Sequence, residues 1–150
     1  MTWAEHARDA LRDAGVKPGA ARAAVIDVVA EQPCCLPATA IHEEVRRRRP
    51  GVGIASVYRA LQTLTELGLV HRVDLRSGGA RYEPAEPSGD HHHHLVCGDC
   101  GKVEAFSDDG LEQAIDGVSQ AAAFRIDQHE VVLRGRCARG RWAGPSPGWR

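Results

Sequence analysis

The sequence predicts an α+β protein in which an N-terminal winged helix-turn-helix is followed by a small α/β dimerisation domain. Three observations predict it. Apolar residues recur at helical spacing through most of residues 3–67, and two alternating segments then flank a glycine-containing turn at 76–79. Beyond a polar stretch with two prolines and a glycine, the chain restarts with His91-His92-His93-His94-Leu95-Val96-Cys97-Gly98-Asp99-Cys100. The boundaries that follow are 1–84 for the winged helix, 85–90 for a hinge, 91–138 for a metal-binding dimerisation domain and 139–150 for a disordered tail. With 150 residues, 43% hydrophobic and 26% charged, the chain is long enough to bury a core in one ordinary domain or two small ones.

The first helix is expected over 3–14, with Thr2 as N-cap and Gly15 as stop. A second spans Ala20 to Glu31, turns Val25, Val28 and Val29 inward, and ends at Gln32-Pro33. Cys34-Cys35-Leu36-Pro37 is a connector, and a third helix from Ala38 to Arg48 packs Ile41 and Val45. Its Arg46 to Arg49 run reads as a solvated helix end that suits the dipole, ahead of a phosphate-facing patch.

The fourth helix, Ile54 to Leu67, carries Ile54, Val57, Leu61, Leu64 and Leu67 as one apolar stripe. Ala55, Ser56, Tyr58, Arg59, Gln62 and Thr63 form its other face. Small groups for close approach, a methyl for thymine and an arginine for guanine or phosphate are what a helix in the major groove needs. Gly68 closes that helix, and Leu69–Leu75 and Ala80–Glu83 read as the two strands of the wing. Arg72, Arg76 and Arg81 lie on that hairpin, where exposed arginines are usually only solvated. In the second half, short strands at 94–97 and 102–106 flank the Cys-x-x-Cys, Asp108 and Asp109 open a helix that runs to Ala122, and Phe124–Leu133 alternates like a strand. So small a unit with apolar strands calls for a partner subunit to cover one face.

Read as extended chain, the histidine run places His91 and His93 on one side and His92 and His94 on the other, giving two imidazole pairs for two transition-metal ions. Cys97 and Cys100 form a turn able to grip a third as thiolates. No apolar run approaches the roughly 20 residues that cross a bilayer, and the N-terminus lacks the apolar core of a signal peptide, so the expected compartment is the cytoplasm. There Cys34, Cys35, Cys97, Cys100 and Cys137 stay reduced, which favours metal binding or redox sensing over disulfides; Cys34 and Cys35 also read as ordinary buried small residues. Residues 1–83 hold 12 Lys+Arg against 10 Asp+Glu, and 84–150 hold 7 against 10, so the first half is the nucleic-acid half.

These residues together resemble the ferric uptake regulator family of metal-responsive repressors, from about residue 5 to Cys137. The marks are Gly53-Ile54-Ala55-Ser56-Val57-Tyr58-Arg59 opening the recognition helix, His91 to His94 before Cys97-Gly98-Asp99-Cys100-Gly101, and His129 ahead of Cys137. The resemblance implies a homodimer that binds double-stranded operator DNA, an AT-rich inverted repeat, when a divalent metal is bound. It implies that Tyr58 and Arg59 contact bases, beside Ala55 and Ser56, and that Lys17 and Arg22 approach the backbone or minor groove.

By the same resemblance, a sensory metal site maps onto Glu83, His92 and His94, with Cys35 at a connector position where many relatives carry histidine. A thiolate there softens the site and tilts it toward zinc over iron(II). A second site maps onto His91, His93, Glu112 and His129. A structural zinc maps onto Cys97, Cys100 and Cys137; many relatives supply a fourth cysteine, whereas this chain continues Cys137-Ala138-Arg139-Gly140. The expected function is a metal-dependent repressor of metal homeostasis rather than an enzyme, with zinc as structural and regulatory metal and iron(II) as a further regulatory candidate. The rivals are a peroxide sensor of the same family, a zinc hydrolase and a metal-storage protein.

Overall fold

The computed structural model describes residues 1–17, 19–75, 79–87 and 92–138. Helix α1 (Trp3–Asp13) starts where a capping box forms: the Glu5 amide donates to the Thr2 hydroxyl at 3.2 Å and the Thr2 amide to the Glu5 carboxylate at 2.7 Å. The Glu5 carboxylate accepts from both the Thr2 amide and, at 3.0 Å, the Thr2 hydroxyl, and these two bonds hold it below its ordinary range. The helix stops at Gly15, whose φ of +69° suits the left-handed turn that hands the carbonyls of Leu11 and Arg12 to the amides of Val16 and Gly15. Trp3, Ala7 and Leu11 recur every four residues and are buried. The Trp3 indole donates to the Leu69 carbonyl at 2.9 Å, so its one polar atom is satisfied.

Helix α2 (Ala20–Ala30) buries Val25, Ile26, Val28 and Val29 and is the centre of this part of the molecule. After it, Leu36–Pro37 forms a short strand, β1, in place of the expected connector. Helix α3 (Ala38–Arg48) buries Ile41 and Val45, and of its terminal arginines Arg47 pairs with Glu44 and Arg48 with Glu31, which fits the solvated-end reading. Helix α4 (Ile54–Glu66) buries Val57, Ala60, Leu61 and Leu64. The two ends of the expected stripe do not follow: Ile54 and Leu67 are 37% and 38% exposed.

Strands β2 (Val70–Asp74) and β3 (Ala80–Pro84) form the expected hairpin, with Arg72 opposite Tyr82; residues 76–78, including Arg76, lie outside the described residues. β1 adds to the far side of β3, antiparallel, with Leu36 opposite Tyr82. The sheet order β1-β3-β2 completes a winged helix-turn-helix. The Ala85 amide, at the start of the expected hinge, still donates to the Leu69 carbonyl at 3.0 Å.

The chain divides into two units, residues 1–90 and 91–150. In the second, β4 (His93–Cys97) is the central strand of a sheet ordered β5-β4-β6, antiparallel to β5 (Val103–Phe106) and parallel to β6 (Val132–Gly135). Helix α5 (Asp109–Ala121) makes the crossover that a parallel pair requires, and Asp108 caps it by accepting the Leu111 amide at 2.8 Å. The expected strand over Phe124–Leu133 is a correction: among the described residues only Val132–Gly135 pairs as strand, with the Val131 carbonyl just before it accepting the His94 amide at 3.0 Å. The tail at 139–150 lies outside the described residues.

Candidate metal centres and nucleic-acid face

The cysteine knuckle is built by strand register. β4 and β5 are joined through Gly98 to Lys102, and Gly101, at φ +72°, allows the reversal that returns the Cys97 amide to the Lys102 carbonyl at 2.9 Å. The parallel register puts Cys97 opposite Gly135, so Cys137, two residues past it, reaches the same place. Sulfur ligand atoms of Cys97, Cys100 and Cys137 lie within 4.8 Å of one another, with Cys100 and Cys137 3.6 Å apart. A tetrahedral ion with zinc–sulfur bonds of about 2.3 Å separates its sulfurs by about 3.8 Å, so these three fit zinc. The Cys137 amide donates to the Cys97 sulfur at 3.3 Å; that bond, with amides of Cys100 and Asp99, brings the Cys97 thiol down to about 6. For Cys100 the Lys102 amide acts downward, but the neighbouring thiols of Cys97 and Cys137 win and its value rises.

A second group forms around Glu112, in the first turn of α5. Its two oxygens reach the Nε2 atoms of His93 at 2.7 Å and His129 at 2.9 Å, and the His93 ring is fully buried. The Val131 amide donates to His93 Nδ1 at 3.3 Å, which makes Nδ1 an acceptor and leaves Nε2 to donate to Glu112. One carboxylate thus gathers two imidazoles; for the same three atoms to hold a cation each ring proton must sit on Nδ1, which at His93 means giving up the bond from the Val131 amide. His129 sits in the unpaired segment before β6 and not on a strand, a correction to the sequence reading. His91, expected here as a fourth ligand, lies outside the described residues.

Of the expected sensory residues, Cys35 and Glu83 belong to the first unit, His92 and His94 to the second. Cys35 directly precedes β1, whose Leu36 faces Tyr82, and ligand atoms of Cys34, Cys35 and Glu83 lie within 4.8 Å of one another. Cys35 and Glu83 are buried and Cys34 is half-buried. The Cys34 thiol, 3.9 Å away, pushes the Cys35 thiol up; burial and the Glu83 charge add to this, and Arg81 opposes it. The sequence leaves open whether Cys34 or Cys35 is a ligand or a redox sensor and places only Cys35 in the sensory set; the structure brings Cys34 beside it. In the second unit the His92 and His94 rings meet edge to face, 5.1 Å between centroids, and His94 is buried. Of the described residues of the histidine run, His93 meets Glu112 while His92 and His94 meet each other, and regular strand begins only at His93.

The face of α4 expected to read DNA is open: Ala55, Arg59 and Tyr58 are exposed, the last at 49%, and Ser56 is half-buried. Arg59 donates to the Ser56 hydroxyl at 3.1 Å, which holds the guanidinium on that face. No side chain caps α4, whose N-cap is Gly53, so its first amides remain available to an anion. Arg22 donates to the Lys17 carbonyl, keeping these two basic residues together before and within α2.

The sequence matches the model of the ferric uptake regulator family over residues 13–134. It is 34% identical over 128 residues to the ferric uptake regulation protein of Legionella pneumophila, across 85% of this chain and 93% of that protein. The fold is similar to the solved ferric uptake regulator of Helicobacter pylori, described as having three functional metal binding sites, with a TM-score of 0.81, 25% identity and coverage of 94% and 93%. It is also similar to that of Vibrio cholerae, with a TM-score of 0.75, 32% identity and coverage of 86% and 98%.

Proposed function

The chain belongs to the ferric uptake regulator family, and from that premise we propose that it is a metal-dependent transcriptional repressor of metal homeostasis in the cytoplasm, binding an AT-rich inverted repeat as a homodimer when zinc or iron(II) is bound. Membership in a family of regulators sets the zinc-hydrolase reading aside. In this reading residues 1–84 read DNA, 85–90 are the hinge and 91–138 bind metal and dimerise. The observation that carries it is a division of labour: exposed Tyr58 and Arg59 head one helix of the first unit, while the second gathers its cysteines and histidines into ligand groups.

Zinc at Cys97, Cys100 and Cys137 is the structural ion, His93, Glu112 and His129, with His91, hold the second, and Cys35, Glu83, His92 and His94 hold the regulatory one. Bound there, the ion supplies positive charge and a cross-link among those four side chains. Tyr58 and Arg59, with Ala55 and Ser56, meet base edges, while Lys17, Arg22 and the uncapped α4 amides meet phosphates. The dimer reading is supported by α5, which buries none of its residues, and by Val118, Phe124 and Leu133 at 63%, 67% and 50% exposure. No described helix is long and apolar enough to cross a membrane.

Ligand binding that favours the DNA-competent conformation must raise DNA affinity by the same coupling factor. An anisotropy titration against a fragment carrying an inverted repeat tests this: chelator should weaken binding by about tenfold or more, the usual size of such coupling. Equal affinity with and without chelator rejects the proposal. The adjacent Cys34 and Cys35 thiols favour a second reading, peroxide sensing; mass spectrometry for 2-oxo-histidine or a sulfenate after peroxide decides it.

A further inference from the structure

We infer that Cys34 joins Cys35 and Glu83 as a dithiolate–carboxylate ligand set, which makes the regulatory position selective for a thiophilic cation of the zinc and cadmium type over iron(II) and manganese(II). The inference rests on the regulatory reading above and adds to it a ligand and a metal class.

The ligand set comes from one strand pairing. β1 begins directly after Cys35 and runs antiparallel to β3, so the connector is held against the residue that follows Tyr82. The two sulfurs stand 3.9 Å apart, close to the roughly 3.8 Å edge of a tetrahedron with zinc–sulfur bonds of about 2.3 Å. Adjacent residues in regular strand send their side chains to opposite faces and could not share an ion; here both cysteines precede β1, in irregular chain, and both reach Glu83.

Chemistry then sets the selectivity. Two polarisable sulfurs and one oxygen suit a d10 ion, whereas iron(II) and manganese(II) prefer imidazole, carboxylate and water. Charge is also consistent: two thiolates and a carboxylate bring three negative charges, a divalent ion removes two, and Arg81, near enough to Cys35 to favour its thiolate, faces the remainder. Each thiol gives its proton to solvent on binding, so uptake releases up to two protons.

Full-length protein with zinc retained in the Cys97–Cys100–Cys137 group should be titrated with cobalt(II), alongside Cys34→Ser, Cys35→Ser and the double variant. Wild type should show a near-ultraviolet thiolate-to-cobalt charge-transfer band, each single variant about half of it, and the double variant none. In competition, Cys34→Ser should lower the preference for zinc over manganese(II) by about tenfold or more. Cys34→Ala serves if Cys34→Ser alters the circular dichroism spectrum. Cobalt binding without the charge-transfer band, or a band untouched by Cys34→Ser, overturns the inference. If the band behaves as expected while DNA affinity ignores the metal, the ligand set stands and the repressor proposal falls.

Discussion

The two units stabilise themselves by different means. The first is organised by an apolar cluster of α1, α2, α3, α4 and the start of β2, with Leu11, Val25, Ile41, Leu61 and Leu64 fully buried. The second buries mainly Val96, Cys97, His93 and His94, and α5 buries nothing. Hydrophobic burial accounts for a unit of the first kind. The second buries less apolar area, and it carries the candidate ligand groups and an open face that suit ions and a partner. In the reading proposed above, one chain combines a fold of its own with one that depends on cations.

Breaking the knuckle should separate the two most widely. Cys137→Ser should release about one zinc per chain and strip amide-exchange protection from β4 and β6 while leaving α2 and α4 protected, since structural zinc contributes about 10–16 kcal/mol in zinc-finger peptides. Unchanged protection in β4 would show that the second unit does not need its ion. Leu64→Ala is the converse. Leu64 is 0% exposed, and truncation should cost the first unit about 2–5 kcal/mol in denaturant melts with no change in zinc content.

The cysteines sharpen the contrast at the level of single atoms. In reduced, metal-free protein under conditions where β4 and β6 stay folded, Cys97 should alkylate with a midpoint near pH 6 instead of the ordinary 9.0. Its lowered value means that the folded state favours the thiolate; that contribution is complete above pH 9.0 and is lost as pH falls through about 6. Cys35, pushed the other way by Cys34, burial and Glu83, should resist alkylation until pH exceeds the usual thiol range. Equal profiles for the two would remove the distinction.

The smallest effect is expected at the end of α5. Ala123 has φ +49°, in the position that Gly15 and Gly68 occupy after α1 and α4, with the Phe124 amide donating to the Ser119 carbonyl at 3.0 Å. Ala123→Gly should relieve about 1 kcal/mol of left-handed strain, read as a small rise in the melting of the second unit alone.

Much of the first unit was legible because local signals agreed with tertiary need. Thr2 with Glu5, Gly68 after α4, and the valines of α2 each point to one structure at every level. The shortfalls share a cause. Strand β1 is two residues long and exists only because β3 offers an edge, something no local pattern encodes. Phe124 to Leu133 alternates without a ladder along most of its length, and Ile54 and Leu67 keep helical spacing past the point where a neighbour covers them. Among candidate ligands, the Glu112 bridge between His93 and His129 and the Cys97–Cys100–Cys137 group could be anticipated from the family resemblance. Cys34 could not, because its part depends on irregular chain before a strand that the sequence did not announce.

The forty-residue span between Cys97 and Cys137 imposes an order on synthesis. A growing polypeptide has all of its DNA-reading half in hand before the last sulfur of the knuckle has been made, and domains generally mature from the amino end. For that interval the newborn molecule can carry a finished reading head while its second unit still lacks the sulfur that closes the knuckle.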